Sequence, residues 1–509
     1  MYNLELLPTE VALLTLLENL DYSKFKNDNF GRPAAIDSYT MMVIITYARM
    51  DNRFSSRAIE KLCKRDKFIS AVLSNRKFPS HMTINRFIKN NPEAIEDFSV
   101  QIVKQLDLLG ELSKDILFQD GTKIESRAGK YSFAWKSATV KNLEKLKIKI
   151  QNLFVNTDIA CDEKDDFVNK LNILIAKLKS MNIELTPEKT GRGHSLTVEQ
   201  KLYKQATEYL NKYNEYIVTI DKIGPNRNSM SKTDNDATFM RMKEDYMRND
   251  QLKPAYNIQT LVDSNYIVGT YISSDRTDYY TMKPALEKVE KHYDWKYEGY
   301  CADSGYDSQI NHAELENKEM TNYIKPQNWE ISKKRKFIKD ISRKENMEYD
   351  KKGDYYICAN NKKLKLQKTY YKRNADKSRS EIKIYKCVKG CISCPLRSLC
   401  IKTKAKYKRF DVNREYDQYR KICYENLTSE FGAEVRVNRS IQAEGVFARI
   451  KGNHNFRRFL SFGKTRTQTE WILMTMAMNI SCFSARVERG LTSIPFWYKI
   501  ESEKIVNSA

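Results

Sequence analysis

The chain has 509 residues, too many for one simple domain; at roughly 150 residues per domain, length points to about three, or to one domain with large insertions. Hydrophobic residues make up 41% and aromatics 11%, so a core is affordable, and 31 Tyr with 21 Phe argue against a solvated coil. Only 17 Gly and 11 Pro favour helices over turn-rich all-β architecture, while 88 Lys+Arg against 65 Asp+Glu leave +23, an excess that suits a polyanionic partner.

The opening stretch, MYNLELLPTEVALLTLLENL, lacks a basic leader and carries Glu5, Glu10 and Glu18, so no secretory signal is expected. Residues 1–110 read as a run of helices, at Tyr39–Met50, Arg57–Lys64, Thr83–Asn90 and around Glu93–Leu109, with Pro92 at a helix start. FPSHMTINRFIKN reads in two ways. It is the second half of a DNA-binding helix-turn-helix, with Ser80 or Thr83 as cap and Asn85, Arg86 and Lys89 projecting, or part of a plain helical bundle. At ILFQDGTKIES the pattern turns to strand, with Asp120-Gly121 near its end. Residues 136–224 return to helical spacing, through Val140, Leu143, Leu146, Ile150 and Leu153, then Leu202, Ala206, Tyr209, Leu210, Tyr213 and Ile217. That predicts a long helical insertion of two or three amphipathic helices, a structural or dimerising arm.

Strands at Ala255–Val262 and Tyr266–Ile272 are joined by Asp263-Ser264-Asn265, a hairpin signal. A helix over Thr281–His292, a strand over Tyr297–Ala302, a helix over Ser308–Asn317 and a short strand at Tyr323–Lys325 follow. This order predicts a mixed α/β sheet, antiparallel first and parallel later. Residues 331–410 then hold 26 Lys and Arg against 7 Asp and Glu, a balance of +19 within a basic, Cys-containing insertion. Helices over Asn438–Lys451 and Trp471–Phe483 complete the pattern. The second is apolar but too short to span a bilayer, so no membrane partner is expected.

Three acids stand out by position. Asp120 and Asp303 each fall at a predicted strand end, and Glu444 lies on the helix NRSIQAEGVFARIK. Ligands in open α/β sheets bind beyond the carboxyl ends of strands, so the three can converge there. Carboxylates in one pocket repel unless a divalent ion lies among them, and hard oxygen donors suit Mg²⁺ or Mn²⁺. Two such ions suit phosphodiester chemistry. Taken singly, each acid also reads as an ordinary turn Asp or a solvated helix Glu. The cysteines Cys387, Cys391, Cys394 and Cys400 have spacing for one structural Zn²⁺, with Cys358 as a substitute ligand, or are a set of reduced thiols. The five His residues show no ligand spacing. Ten Cys in this length is no disulfide scaffold, and a reducing, cytoplasmic compartment is expected.

The pieces FQDGTKIES, DNDATFMRMKEDYMRNDQLKPAYNIQ, CADSGYD and NRSIQAEGVFARIKGNHNFRRF resemble the DDE transposases of bacterial insertion sequences, over nearly the whole chain. The resemblance implies an RNase H-like catalytic core (residues 111–490) behind a helical N-terminal DNA-binding domain (1–110). The core would be interrupted by the insertions 136–224 and 327–430 and followed by a tail, 491–509. It implies Asp120, Asp303 and Glu444 as catalytic metal ligands, with Asp303 in an Asp-x-Gly-Tyr pattern completed by Gly305 and Tyr306. A related group carries Tyr-x2-Arg-x3-Glu-x6-Lys around its Glu. Here Lys451 fits that spacing, but Ser440 stands at the Arg position, Arg439 comes one residue early, and Val437 replaces Tyr. Arg439, Gln442, Lys451, Arg457 and Arg458 are the expected DNA contacts; cations there hold phosphates without reading sequence. The implied activity is metal-dependent DNA cleavage and strand transfer on double-stranded element ends and target DNA, by a homodimer on DNA. The alternatives are a metal-dependent nuclease without strand transfer, or a DNA-binding protein or repressor whose site has decayed.

Overall fold

The structure is a computed structural model, described for residues 6–26, 35–74, 76–155, 157, 166–183, 196–243, 247, 249–374 and 376–498. A six-stranded mixed sheet organises it. β1 is Ile116–Glu125, β2 Thr238–Arg241, β3 Leu252–Asp263, β4 Tyr266–Ser273, β5 Gly299–Ala302 and β6 Thr321–Ile324. β3 pairs antiparallel with β1 on one side, and with β2 and then β4 on the other. β1, β5 and β6 are parallel neighbours in that order. β1, β4, β5 and β6 therefore run the same way, and their carboxyl ends share one edge.

Local chemistry accounts for these elements. The β3–β4 turn places Ser264 at φ 51° and Asn265 at φ 70°, the pair of left-handed residues that a two-residue hairpin needs. The strands are apolar on both faces because both are covered. On one face Leu117, Leu261, Val268 and Tyr300 join a core that includes Leu13, Val43, Ile95 and Phe98 of the N-terminal helices. On the other, Phe118, Ile258, Val262 and Cys301 meet Val446, Ile450, Trp471 and Met474. The terminal helix, Lys464–Glu488, contributes to both cores and is longer than the predicted Trp471–Phe483. Its hidden central stretch reads as core, whereas its flanking turns are polar.

The N-terminal helices begin at capped positions. Asp37, Ser55, Asp66 and Ser80 each accept a hydrogen bond from the backbone N–H three residues on. Ser80 thus caps the helix His81–Asn90, on which Asn85, Arg86 and Lys89 are exposed. The helical insertion comprises Lys136–Phe154, Phe167–Ser180 and Val198–Ile223, packed through Leu146, Ile150, Leu171, Leu174 and Ala206 into a core of their own. Val140 and Ile217, expected in that seam, are exposed. A two-stranded clasp, Phe133–Trp135 against Ser229–Ser231, closes the insertion at its base.

The basic insertion holds a five-stranded antiparallel sheet, in the order Arg409–Val412, Arg379–Cys387, Lys363–Arg373, Tyr355–Ile357, Glu348–Asp350. Met347, Leu364, Tyr385, Cys387 and Val412 form its small core. Arg414 pins it from below, donating to Asp354 at 2.7 Å and to the Tyr385 hydroxyl at 2.6 Å. The predicted tail is anchored for its first residues: Ser493 N–H donates to Glu111, and Trp497 stacks on Phe431. Residues 499–509 lie outside the described residues. No helix among the described residues is long and apolar enough to cross a membrane.

Candidate active site

Parallel pairing sets Gln119 of β1 against Ala302 of β5. The next residues, Asp120 and Asp303, leave that pairing together at the common carboxyl edge. Asp120 does not end its strand as expected, because β1 continues beside β3 as far as Glu125. What ends at Asp120 is the parallel ladder. Burial, reinforced by the Asp303 charge, pushes the Asp120 carboxyl up to about 7. Asp303 is raised as well, by burial and the Asp278 charge, against the Gly305 N–H that donates to its ionised carboxylate at 2.7 Å.

Asp278 is the residue that sequence reasoning missed. A side chain on Gly121 would meet its Oδ1 at 2.8 Å, and one on Gly305 would meet its Oδ2 at 3.2 Å, so it sits between the two aspartate motifs. Its Oδ1 accepts from Asn257 Nδ2 (2.8 Å) and Gln259 Nε2 (2.9 Å). Gln259 Oε1 accepts in turn from Gln119 Nε2 (2.8 Å) and from the Tyr306 hydroxyl, while Gln119 Oε1 accepts from the Tyr300 hydroxyl (2.8 Å). This network lies under the acids and is buried along Gln119, Gln259, Tyr300 and Tyr306. A signal was present: Asp278 follows the carboxyl end of β4, which runs parallel to β1.

Glu444 comes from a helix that starts at Glu430, eight residues before the predicted Asn438, with Ser429 as cap. Two π-helical turns, Ser440–Glu444 and Arg449–Asn453, widen it on either side of Gly445–Ala448. In a regular helix, residues five apart point about 140° away from each other. The π turn accommodates that spacing, and Arg439 pairs with Glu444 across it. The Arg439 charge also opposes the raised values of both Asp120 and Asp303.

Two of the expected DNA contacts, Gln442 and Arg458, also bond within the chain, and Arg458 stays exposed. Gln442, expected on DNA, is fully buried; its Oε1 accepts the Asn265 N–H at 3.1 Å and so fixes the β3–β4 turn. Asn438 is buried too. Arg458 donates to the carbonyls of Ser126 (3.2 Å) and Arg127, tying the segment after the acid helix to the exit of β1. Lys451 and Arg457 remain partly exposed. The segment Asp234–Asp236 anchors the start of the terminal helix. Asp234 accepts from Ser126, Tyr256 and the Gly463 N–H, and Asp236 from the Lys464 N–H, so both acids seat the terminal helix.

Among the described residues, no group of three or more His, Cys, Asp or Glu side chains is gathered closely enough to hold a metal ion. At the cysteines, Cys387, Cys358 and Cys391 pack into the small core of the basic sheet. The Cys387 thiol is turned to the Lys389 carbonyl (3.1 Å), and Cys394 accepts from Asn360 (3.4 Å). At the acids, Glu444 is paired with Arg439. Asp120 and Asp303 are both half-buried carboxylates with raised values, Asp120 through burial and the Asp303 charge, Asp303 through burial and the Asp278 charge.

Residues 357–483 match the family model of the transposase DDE domain. The match takes in most of the basic sheet, Glu444 with its helix and most of the terminal helix, and it supports a DDE transposase. No curated protein and no solved structure is matched by the chain.

Proposed function

We propose that the chain is a DDE transposase that binds the ends of its own mobile element and catalyses divalent-metal-dependent strand cleavage and strand transfer at Asp120, Asp303 and Glu444. The observation that carries this reading is the side-by-side emergence of Asp120 and Asp303 beyond parallel strands, with the Glu444 helix packed against the same sheet. The strand arrangement, three antiparallel strands continued by two parallel to β1, is the one an RNase H-like core requires and supports that fold.

Asp120 and Asp303 would hold the ion or ions, joined by Glu444. When bound, such ions activate an attacking oxygen and stabilise the leaving one in phosphodiester chemistry. The remaining work falls to the chain. The amides of Asn257 and Gln259 fix Asp278, which sets the charge facing Asp303. Lys451 brings positive charge to the phosphate backbone from the helix that carries Glu444.

DNA has a second seat in a groove of about 570 Å³ between the N-terminal helices and the start of the terminal helix. Arg57, Lys89, Arg127 and Arg466 line it beside Asn85, and its acid, Glu470, is buried against the N–H groups of Leu460 and Ser461. This supports the DNA-binding reading of the helix His81–Asn90. Joining two element ends needs two such sites, hence a homodimer on DNA, in the cytoplasm.

Glu444→Gln should abolish Mg²⁺-dependent cleavage of element-end DNA while leaving duplex binding measurable. A variant that cuts as fast as the native protein would retire the assignment. Joined products in the native reaction separate strand transfer from simple nuclease action.

A further inference from the structure

We propose that Arg439 is a positioning residue that serves as a tethered counter-cation, holding Glu444 away from Asp120 and Asp303 until a divalent ion takes its place. The inference rests on the reading of these acids as a metal site.

The geometry distinguishes this role from a phosphate contact. The Arg439 side chain is only 14% exposed, against 52% for Glu444, so the guanidinium faces inward and the carboxylate outward. Arg439 donates to Glu444, and its charge is felt at both Asp120 and Asp303. The other cation acting on Asp303 is Lys243, which is exposed. Lys123, half-buried on β1, acts on Asp278 instead, so Arg439 is the inward-facing cation that pairs with Glu444 among the described residues.

The π turn explains the sequence. In the related signature Arg precedes Glu by four residues. Here Arg439 precedes by five, and the widened turn at Ser440–Glu444 brings the pair together again. The displaced arginine is thus no defect of the pattern, because the helix expands by one residue to seat it.

A guanidinium does not deprotonate in a protein, so Arg439 can leave only by displacement. That fixes the sign of the test. If Arg439 orients Glu444 for the metal, removing it weakens metal binding. If it stands in for the metal, removing it eliminates repulsion, frees Glu444 and tightens binding.

The experiment uses full-length protein without DNA, with Mn²⁺ as the probe and free Mn²⁺ read by electron paramagnetic resonance at fixed ionic strength. Arg439→Gln should lower the Mn²⁺ Kd by about tenfold, the scale of one partly screened charge at close range. Arg439→Met, which keeps the aliphatic stem, should do the same and guards against a folding defect; thermal unfolding checks both. Arg439→Lys should stay near the native value, and adding Glu444→Gln to Arg439→Gln should cancel the gain.

Unchanged or weaker Mn²⁺ binding in the folded Gln and Met variants overturns the role of Arg439. Asp303→Asn separates this from failure of the site itself. If it weakens Mn²⁺ binding while the Arg439 variants do not tighten it, only the counter-cation role falls. If it changes nothing, the metal-site reading falls and the inference with it.

Discussion

Asp307, four residues beyond Asp303, concentrates an unusual number of obligations in one side chain. It is buried, faces His312 Nε2 at 2.8 Å, accepts the Gln327 N–H at 2.7 Å and meets Arg420 at 3.3 Å. Burial pushes its carboxyl up, but His312, the Gln327 N–H and Arg420 together hold it below the usual carboxylate range. Asp307→Ala should cost about 3–5 kcal/mol, since it leaves the largely buried Arg420 guanidinium and the buried His312 ring without their acceptor. The sign of the pH effect follows from the depressed value. The stabilisation is present above the unfolded value of roughly 3.9 and is lost as pH falls through the folded one. Urea midpoints of native and variant protein should therefore differ most near neutrality and converge as the pH drops below about 4. Midpoints that stay equally far apart down to strong acid would refute this. At this scale the sequence was a partial guide. Asp120 and Asp303 were visible from strand patterns, but Gln442 looked like a DNA contact only because it lies on the helix that carries Glu444. A π turn resets the helical phase there, and a π turn has no composition of its own.

The hairpin between β3 and β4 brings one of the inward-facing groups to order. Its Asn265 N–H is held by Gln442 of the acid helix, so a turn residue determines how that helix sits on the sheet. With Asn265 at φ 70°, Asn265→Val forces a β-branched residue into left-handed geometry and should cost about 1–2 kcal/mol. Asn265→Gly should cost none of this. Thermal unfolding of the two variants checks the difference, and equal midpoints would count against the backbone argument. This hairpin was legible because Asp-Ser-Asn interrupts two apolar runs. The five-stranded basic sheet was not, although Lys363-Leu364-Lys365-Leu366 alternates as a strand should. The lysines that carry the alternation also raise the charge, and the charge was the louder signal. The early start of the acid helix was hidden similarly, since Glu430–Arg439 is polar and buries little besides Gly432, Val435 and Asn438.

Over the whole molecule, the two insertions differ in how they are attached. The basic sheet is bound into the chain's polar network through Arg414, and Ser380 and Asn413 both donate to Gln309 on the helix after Asp303. Removing it would disturb the neighbourhood of the acids. The helical insertion leaves and returns through the clasp, where Trp135 lies directly opposite Ser229 and the Lys136 N–H donates to the Asn228 carbonyl at 2.9 Å. Its core, around Ile150 and Leu171, is separate from the two cores that cover the sheet. The clasp is thus a severed hairpin with a three-helix cassette spliced into its tip. Two opposed residues are what an Asn-Gly turn joins, so residues 136–228 can be exchanged for that dipeptide without moving either strand. The shortened protein should still unfold cooperatively, with a urea m-value reduced by the surface the cassette no longer exposes. Loss of cooperative unfolding would mean that the cassette belongs to the frame. On this geometry the clasp strands close the frame by themselves, and the helices hang from their tip as cargo.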